Sequence, residues 1–292
     1  MPEAPTVFSG ETGALKLGDD VYAAIRNWKV TLKADNQAVV DSATSGGTTR
    51  VGGNSDWSGS FVADGYPVAY PGEEPVFLGS IDAVKGCYGT IIIDSVRINW
   101  DIATGKPVDH EVSFSGNGTL TLGAAVAADV SVATPVPSIG VTVSLATPAA
   151  DQSYTTVLAQ VQTITLEFKR ANQAYADSST AGYTKRKRGP LDWTLSMKVS
   201  PDATLADAAY GLEGLPQPKD VVGIKIEDAD ELTYLLDWAI FDDISDVEVN
   251  RETQGIVSCT LNASMCGTTD ISDTQTLGSI IDPAVTTVWP ET

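Results

Sequence analysis

The sequence predicts an all-β protein built as two tandem, similar antiparallel β-sandwich or barrel domains, each with at most one short flanking helix. Three observations carry this. Apolar and polar residues alternate with period 2, as in Trp28-Lys29-Val30-Thr31-Leu32-Lys33 and Val96-Arg97-Ile98-Asn99-Trp100-Asp101-Ile102, the pattern of strands that bury one face. Hydrophobic residues make up 42% and charged residues only 19% of 292, with Thr, Ser, Ala, Val and Gly prominent, which suits strands and turns. The third observation is an internal repeat. Residues 28–60 align without a gap onto 164–196 at a constant offset of 136 (Trp193 minus Trp57), with 14 of 33 positions identical, far more than two unrelated strands share.

Taken in order, residues 1–9 read as an arm and 10–123 as the first domain. The repeated unit runs from a strand into Asn36-Gln37-Ala38, Asp41-Ser42, Gly46, Arg50, Gly53 and Asp56-Trp57. Its second copy reads Asn172-Gln173-Ala174, Asp177-Ser178, Gly182, Arg186, Gly189 and Asp192-Trp193. Pro67, Pro71 and Pro75 break the region that follows in the first copy, and only 79–86 is expected to turn helically. Residues 124–153, rich in Ala, Val, Thr and Pro, carry β-prone runs at 129–133 and 139–145 and read as a linker or inserted hairpin. The second domain spans 154–270. Within it 202–212 is the best helix candidate, opening on Asp202 with Leu205, Ala208, Ala209 and Leu212 on one stripe. Val112-Ser113-Phe114-Ser115 and Val257-Ser258-Cys259-Thr260-Leu261-Asn262 are late strands of the two halves. Residues 271–292 read as a second arm.

Charge and cysteine content narrow the function classes. A formal net charge of −20 opposes generic binding to duplex phosphate, which needs a basic stripe. Cys87, Cys259 and Cys266 form no even set and no CxxC, so reduced, packed thiols are expected. The opening MPEAPTVFSGET has neither a basic nor an apolar leader region, and no apolar run approaches the ~18 residues of a spanning helix. Synthesis in a cytoplasm and no membrane insertion are the expectation.

Candidate chemistry is sparse. His110, the one histidine, begins a strand after the Gly105-Lys106-Pro107 turn, lacks a counterpart in the second half, and reads as a solvated strand-end residue. The acids Glu227, Asp228, Asp230 and Glu231, and the pair Asp242-Asp243 at a strand end, lack the spacing of a calcium loop and read as turn and surface acid. No phosphate-cradling glycine loop and no GxSxG elbow occurs. The expectation is no enzyme, no metal and no cofactor. The remaining oddity is Lys185-Arg186-Lys187-Arg188, a basic run read as the tip of the second repeated loop. On so acidic a chain it is suited to docking against another copy. Trp57 and Trp193, each after an Asp at a strand start, read as packing residues.

The repeated unit resembles the major tail tube proteins of long-tailed bacteriophages. The likeness lies in the strand leading to an Asp/Ser/Thr loop, the Gly-x-Thr-x-Arg stretch (46–50 and 182–186), and the Asp-Trp that opens the next strand. The opening Gly10-Glu11-Thr12-Gly13-Ala14-Leu15-Lys16-Leu17 is similar to that family too. The departure is duplication, since common members carry one such domain. The resemblance implies rings stacked into a hollow tube in the virion tail, with an acidic lumen that DNA crosses transiently. It implies loops at 41–56 and 177–192 reaching neighbouring rings, and the charge pattern makes Arg50, Lys185, Arg186, Lys187 and Arg188 the expected contact residues of those loops. It further implies tape measure, tail terminator and tail tip proteins as partners. With two domains per chain, three chains rather than six would complete a ring. The competing reading is a carbohydrate- or cell-binding β-sandwich module, with tryptophans as sugar platforms.

Overall fold

The computed structural model describes residues 14–22, 24–39, 48–80, 85–123, 135–146, 154, 156–158, 161–200, 215–228, 233–248, 258–266, 279–281 and 286–288. The described residues form antiparallel strands and turns, with no helix among them. The proposed helix at 202–212, the first linker run at 129–133, the N-terminal arm and Gly46 lie outside the described residues. The expected turn at 79–86 gives way to sheet at both ends: Gly79 and Ser80 close the strand Val76–Ser80, and Gly86 opens Gly86–Asp101.

The chain divides into two compact units, each drawn from three segments. Unit 1 is Met1–Val96, Asp109–Pro135 and Phe168–Leu191; unit 2 is Arg97–Val108, Val136–Glu167 and Asp192–Thr292. Both units therefore take residues from both halves of the sequence.

In unit 1, Ile25–Ala34 pairs antiparallel with Ser55–Asp64, which pairs in turn with Asp109–Gly116. Ala14–Leu17 pairs with Val76–Ser80, and that strand with the start of Gly86–Asp101. Alternation is strict in Asp109–Gly116, where every second residue is buried. The core centres on Trp57, Phe61, Phe77 and Phe114, with Phe77 and Phe114 ring centroids 4.8 Å apart and Trp57 edge-on to Phe114 at 6.2 Å. Trp57 has room because it lies over backbone: a Cβ at Gly116 or Gly89 would run into its indole. Its Nε1–H donates to the Gly118 carbonyl at 2.8 Å.

His110 corrects the sequence expectation. It is fully buried rather than solvated, because it shares the inward parity of Val112 and Phe114 on its strand. Its Nδ1–H donates to the Gly65 carbonyl at 2.7 Å, and its ring stands edge-on to Phe61. A carbonyl only accepts, so Nδ1 carries the proton. Burial pushes the imidazole below the usual histidine range, and the Gly65 hydrogen bond only partly opposes this.

In unit 2, Leu191–Val199 pairs with Ser258–Met265, which pairs with Thr233–Glu248. Val221–Glu227 joins Thr233–Glu248 to Thr142–Ala146, so the second β-prone run of the 124–153 segment is a strand of this sheet. Ser279–Ile281, from the expected C-terminal arm, pairs with Thr233–Leu235 and forms a hairpin with Thr286–Val288. Trp193, Leu195, Met197 and Val199 all point inward, with Leu261, Phe241 and Ile224 also buried. Trp100 stands edge-on to Tyr234 at 5.8 Å.

Two acidic readings change here. Asp242 and Asp243 lie mid-strand in Thr233–Glu248, at a bulge between Phe241 and Asp243, and not at a strand end. The bulge turns both carboxylates toward the neighbouring strand, where Asp242 accepts from Ser264 Oγ at 3.1 Å and Asp243 from Asn262 Nδ2 at 2.7 Å. Asp228 is buried, not surface acid.

Candidate functional site

The repeated loops fold into two small hairpins of identical register. In the first, Gln37 pairs with Val51, Ala38 with Arg50 and Val39 with Thr49. In the second, Gln173 pairs with Lys187, Ala174 with Arg186 and Tyr175 with Lys185, each position displaced by the same 136. Gly53 and Gly189 share one cause for being glycine. A Cβ at Gly53 would overlap the Asp35 carbonyl, and one at Gly189 would overlap the carbonyl of Ala171, the equivalent residue.

The basic run is therefore the returning strand of the second hairpin, Lys185–Lys187, and not a loop tip. The turn ahead of it is built by Asp177, whose Oδ1 accepts from the Ser179 N–H at 2.8 Å and from Ser179 Oγ at 2.6 Å. Those bonds hold its carboxyl below the usual aspartate range. Thr180 is buried and its hydroxyl donates to the Asp177 carbonyl at 2.8 Å. Gly182 follows at φ +82°, a left-handed value that suits glycine.

This turn and strand seat on the rest of unit 1 through both backbone and side chains. The Ser55 N–H donates to the Gly182 carbonyl at 2.7 Å, and the Thr184 N–H donates to the Ser55 carbonyl at 3.0 Å, a short parallel bridge. Strand alternation then sends Arg186 one way and Lys185 and Lys187 the other. Arg186 is only 10% exposed at its side chain. Its Nη2 donates to Asp56 Oδ2 at 2.7 Å, its Nη1 to the Gly116 carbonyl, and its backbone N–H to Asn117 Oδ1 at 3.0 Å. Asp56 Oδ1 accepts from the Trp57 N–H at 2.8 Å, which ties the acceptor to the buried indole. Lys185 is half-buried, while Lys187 and Arg188 are exposed: Lys187 Nζ lies 5.5 Å from the Tyr175 ring centre, and Arg188 is 3.9 Å from Glu74.

A second anchor lies alongside. Asn172 Nδ2 donates to Asp94 Oδ1 at 2.8 Å, and Asp94 Oδ2 also accepts from Ser115 Oγ. Arg170 donates to the carbonyls of Pro71 and Gly189, both at 2.9 Å. Sequence reasoning had found Arg186, Asp56, Trp57 and Gly182. It missed Gly116 and Asn117 as partners of Arg186, and it had Asn172 as a repeated position without its partner Asp94.

The equivalent residues of the first hairpin stand differently. Arg50 and Asn36 are exposed where Arg186 and Asn172 are half-buried, and Arg50 makes no ion pair among the described residues. Leu32 is 50% exposed where its counterpart Phe168 is 1% exposed. Asp192, the counterpart of Asp56, is exposed as well, while Trp193 beside it is 0% exposed. Unit 2 also has an open polar cleft next to Thr194–Ser196, where Arg97 pairs with Glu167 at 3.4 Å and Thr165 donates to Asn99 at 3.2 Å. Among the described residues no group of three His, Cys, Asp or Glu is placed to hold a metal ion, and no helix is long and apolar enough to cross a membrane.

No family model and no curated protein matches the chain. Solved structures give partial likenesses. One is a chain of the virion of a native gene transfer agent particle, 18% identical at a TM-score of 0.34, covering 40% of this chain and 98% of that one. Another is a chain from the tail of an empty gene transfer agent particle, 18% identical at a TM-score of 0.31, covering 39% of this chain and 95% of that one.

Proposed function

We propose that this protein is a structural, non-enzymatic subunit of a phage-type tail tube that assembles with copies of itself. The observation that carries the reading is the repeated hairpin: one copy is seated through Arg186, and the other is built to the same register but exposed. An assembly subunit with two related domains needs such unfilled donors and acceptors on its surface. In this reading the domains are 10–123 and 154–270, and three chains close a ring of six pseudo-equivalent domains. Rings stack into a virion tail with an acidic lumen for passing DNA, and tape measure, terminator and tip proteins bind its interior and ends. The loops at 41–56 and 177–192 join copies, with Lys187 and Arg188 the exposed basic residues of the second loop and Lys185 half-buried beside them.

The carbohydrate-binding alternative loses support from tryptophan burial. Trp57, Trp100 and Trp193 are at most 2% exposed, so none of them offers a face to a sugar. Native mass spectrometry and negative-stain imaging of concentrated protein test the proposal. Rings or tubes with three chains per ring are expected. Six chains per ring would refute the stoichiometry, and dispersed single chains at every concentration would refute the assembly role.

A further inference from the structure

We infer that the paired strands of the first hairpin, 37–39 and 49–51, seat on a second copy of this chain, with the Arg50 guanidinium on that copy's Asp192. The inference rests on the self-assembling reading above and specifies the contact that joins one subunit to the next.

The argument begins with the contact already formed. Arg186 reaches the Asp56 carboxylate and the Gly116 carbonyl, and Asn172 reaches Asp94. Every donor in that set has an equivalent 136 residues earlier: Arg50 for Arg186 and Asn36 for Asn172. Identical hairpin pairing places Arg50 opposite Ala38 just as it places Arg186 opposite Ala174. Both earlier donors are exposed.

The acceptor side is duplicated too. Asp56 corresponds to Asp192, and the strands that carry them pair alike. Ser58 lies opposite Ser115 in one, and Thr194, its counterpart, lies opposite Ser264 in the other. Ser264 therefore stands in the place of Ser115, and one residue further Met265 stands in that of Gly116. Ser115 Oγ donates to Asp94, and Ser264 Oγ donates to Asp242 at 3.1 Å, so Asp242 occupies the role of Asp94. Unit 2 thus presents exposed Asp192 and Asp242 carboxylates, with Met265 at the position of Gly116, and the two carboxylates are the charged acceptors that an incoming Arg50 and Asn36 require. One element differs: Cys266 replaces Asn117, so the hydrogen bond to the arginine backbone N–H is not reproduced.

Charge and topology favour a copy of this chain as occupant. At a net charge of −20, copies repel one another unless a cation meets a carboxylate where they touch. The donor belongs to the first repeat and the acceptor to the second, so the contact is head-to-tail. Such contacts propagate from chain to chain until a rotation closes them. The exposed Leu32, on the strand that leads into the hairpin, supplies apolar area for the same contact.

Charge reversal with rescue tests this by sedimentation velocity and native mass spectrometry of the full chain across a concentration series. Arg50→Glu is expected to leave circular dichroism unchanged and to raise the concentration for half-assembly by at least about tenfold. Asp192→Arg is expected to do the same, and the double variant Arg50→Glu/Asp192→Arg to recover most of the loss. Assembly of Arg50→Glu at the wild-type concentration would overturn the inference while leaving the assembly reading intact. A double variant no better than the singles would also overturn it. A wild-type chain that never associates is a different result, which removes the assembly reading itself and this contact with it.

Discussion

Replacing Arg186 with alanine should destabilise unit 1 even though the residue lies in a basic run on an acidic surface. The guanidinium is 10% exposed and donates to a carboxylate at 2.7 Å and to the Gly116 carbonyl. A hydrogen bond to a charged group contributes about 1.5–3 kcal/mol. Asp56 keeps 43% of its side-chain exposure, so solvent screening places the ion pair at the low end of that range. Adding the stem methylenes that leave a buried position, the loss comes to about 2–4 kcal/mol. At about 2–4 °C per kcal/mol, scanning calorimetry of the single subunit should show a drop in Tm of roughly 4–16 °C. Arg186→Lys should recover less than half of it, since an ammonium cannot fork between carboxylate and carbonyl. A double-mutant cycle with Asp56→Ala should return a coupling of about 1 kcal/mol or more. Arg50→Ala is the internal control, an exposed counterpart with no ion pair among the described residues, whose loss should stay within about 0.5 kcal/mol. Equal Tm shifts for the two arginines would refute the reasoning.

Trp57→Ala and Trp193→Ala should each cost about 3–5 kcal/mol in urea denaturation, as emptied core positions. Phenylalanine should separate them: Trp57→Phe should be worse than Trp193→Phe by about 1 kcal/mol, because Trp57 donates to Gly118 while Trp193 Nε1 has no acceptor among the described residues. Burial disfavours protonation of His110 in the folded state, whereas the unfolded chain binds a proton below about pH 6.5. Its contribution is therefore complete above that pH and falls as pH drops through and below it, and His110→Gln should flatten the slope of unfolding free energy over this window.

The strands were legible because alternation is a local property. Val112 and Phe114 define an inward face, and the same parity already placed His110 on it, a signal that reading the histidine as a strand end passed over. The hairpins were legible through the repeat, which aligned Arg50 with Arg186 but was silent on their partners. Asp56 is 130 residues from Arg186 and Gly116 is 70, and a backbone carbonyl leaves no trace in residue type. Asp242 and Asp243 misled for a related reason: two adjacent acids look like a turn, and only a bulge lets them sit within a 16-residue strand. The opposite fates of Arg50 and Arg186, alike in sequence and in hairpin register, depend on what each meets in three dimensions.

The three-segment make-up of unit 1 also sets an order of events during synthesis. Its first segment ends at Val96 and its last at Leu191, so the acceptor formed by Asp56 and Gly116 leaves the ribosome well before the arginine that fills it. At about 5–20 residues per second, the 70 residues from Gly116 to Arg186 take roughly 4–14 s to arrive. Through that interval the nascent chain carries an open site able to capture the equivalent arginine of a neighbouring nascent chain on the same message. Production of correctly joined subunits is thus a contest between a tethered partner and a free one, and the tether decides it through effective concentration.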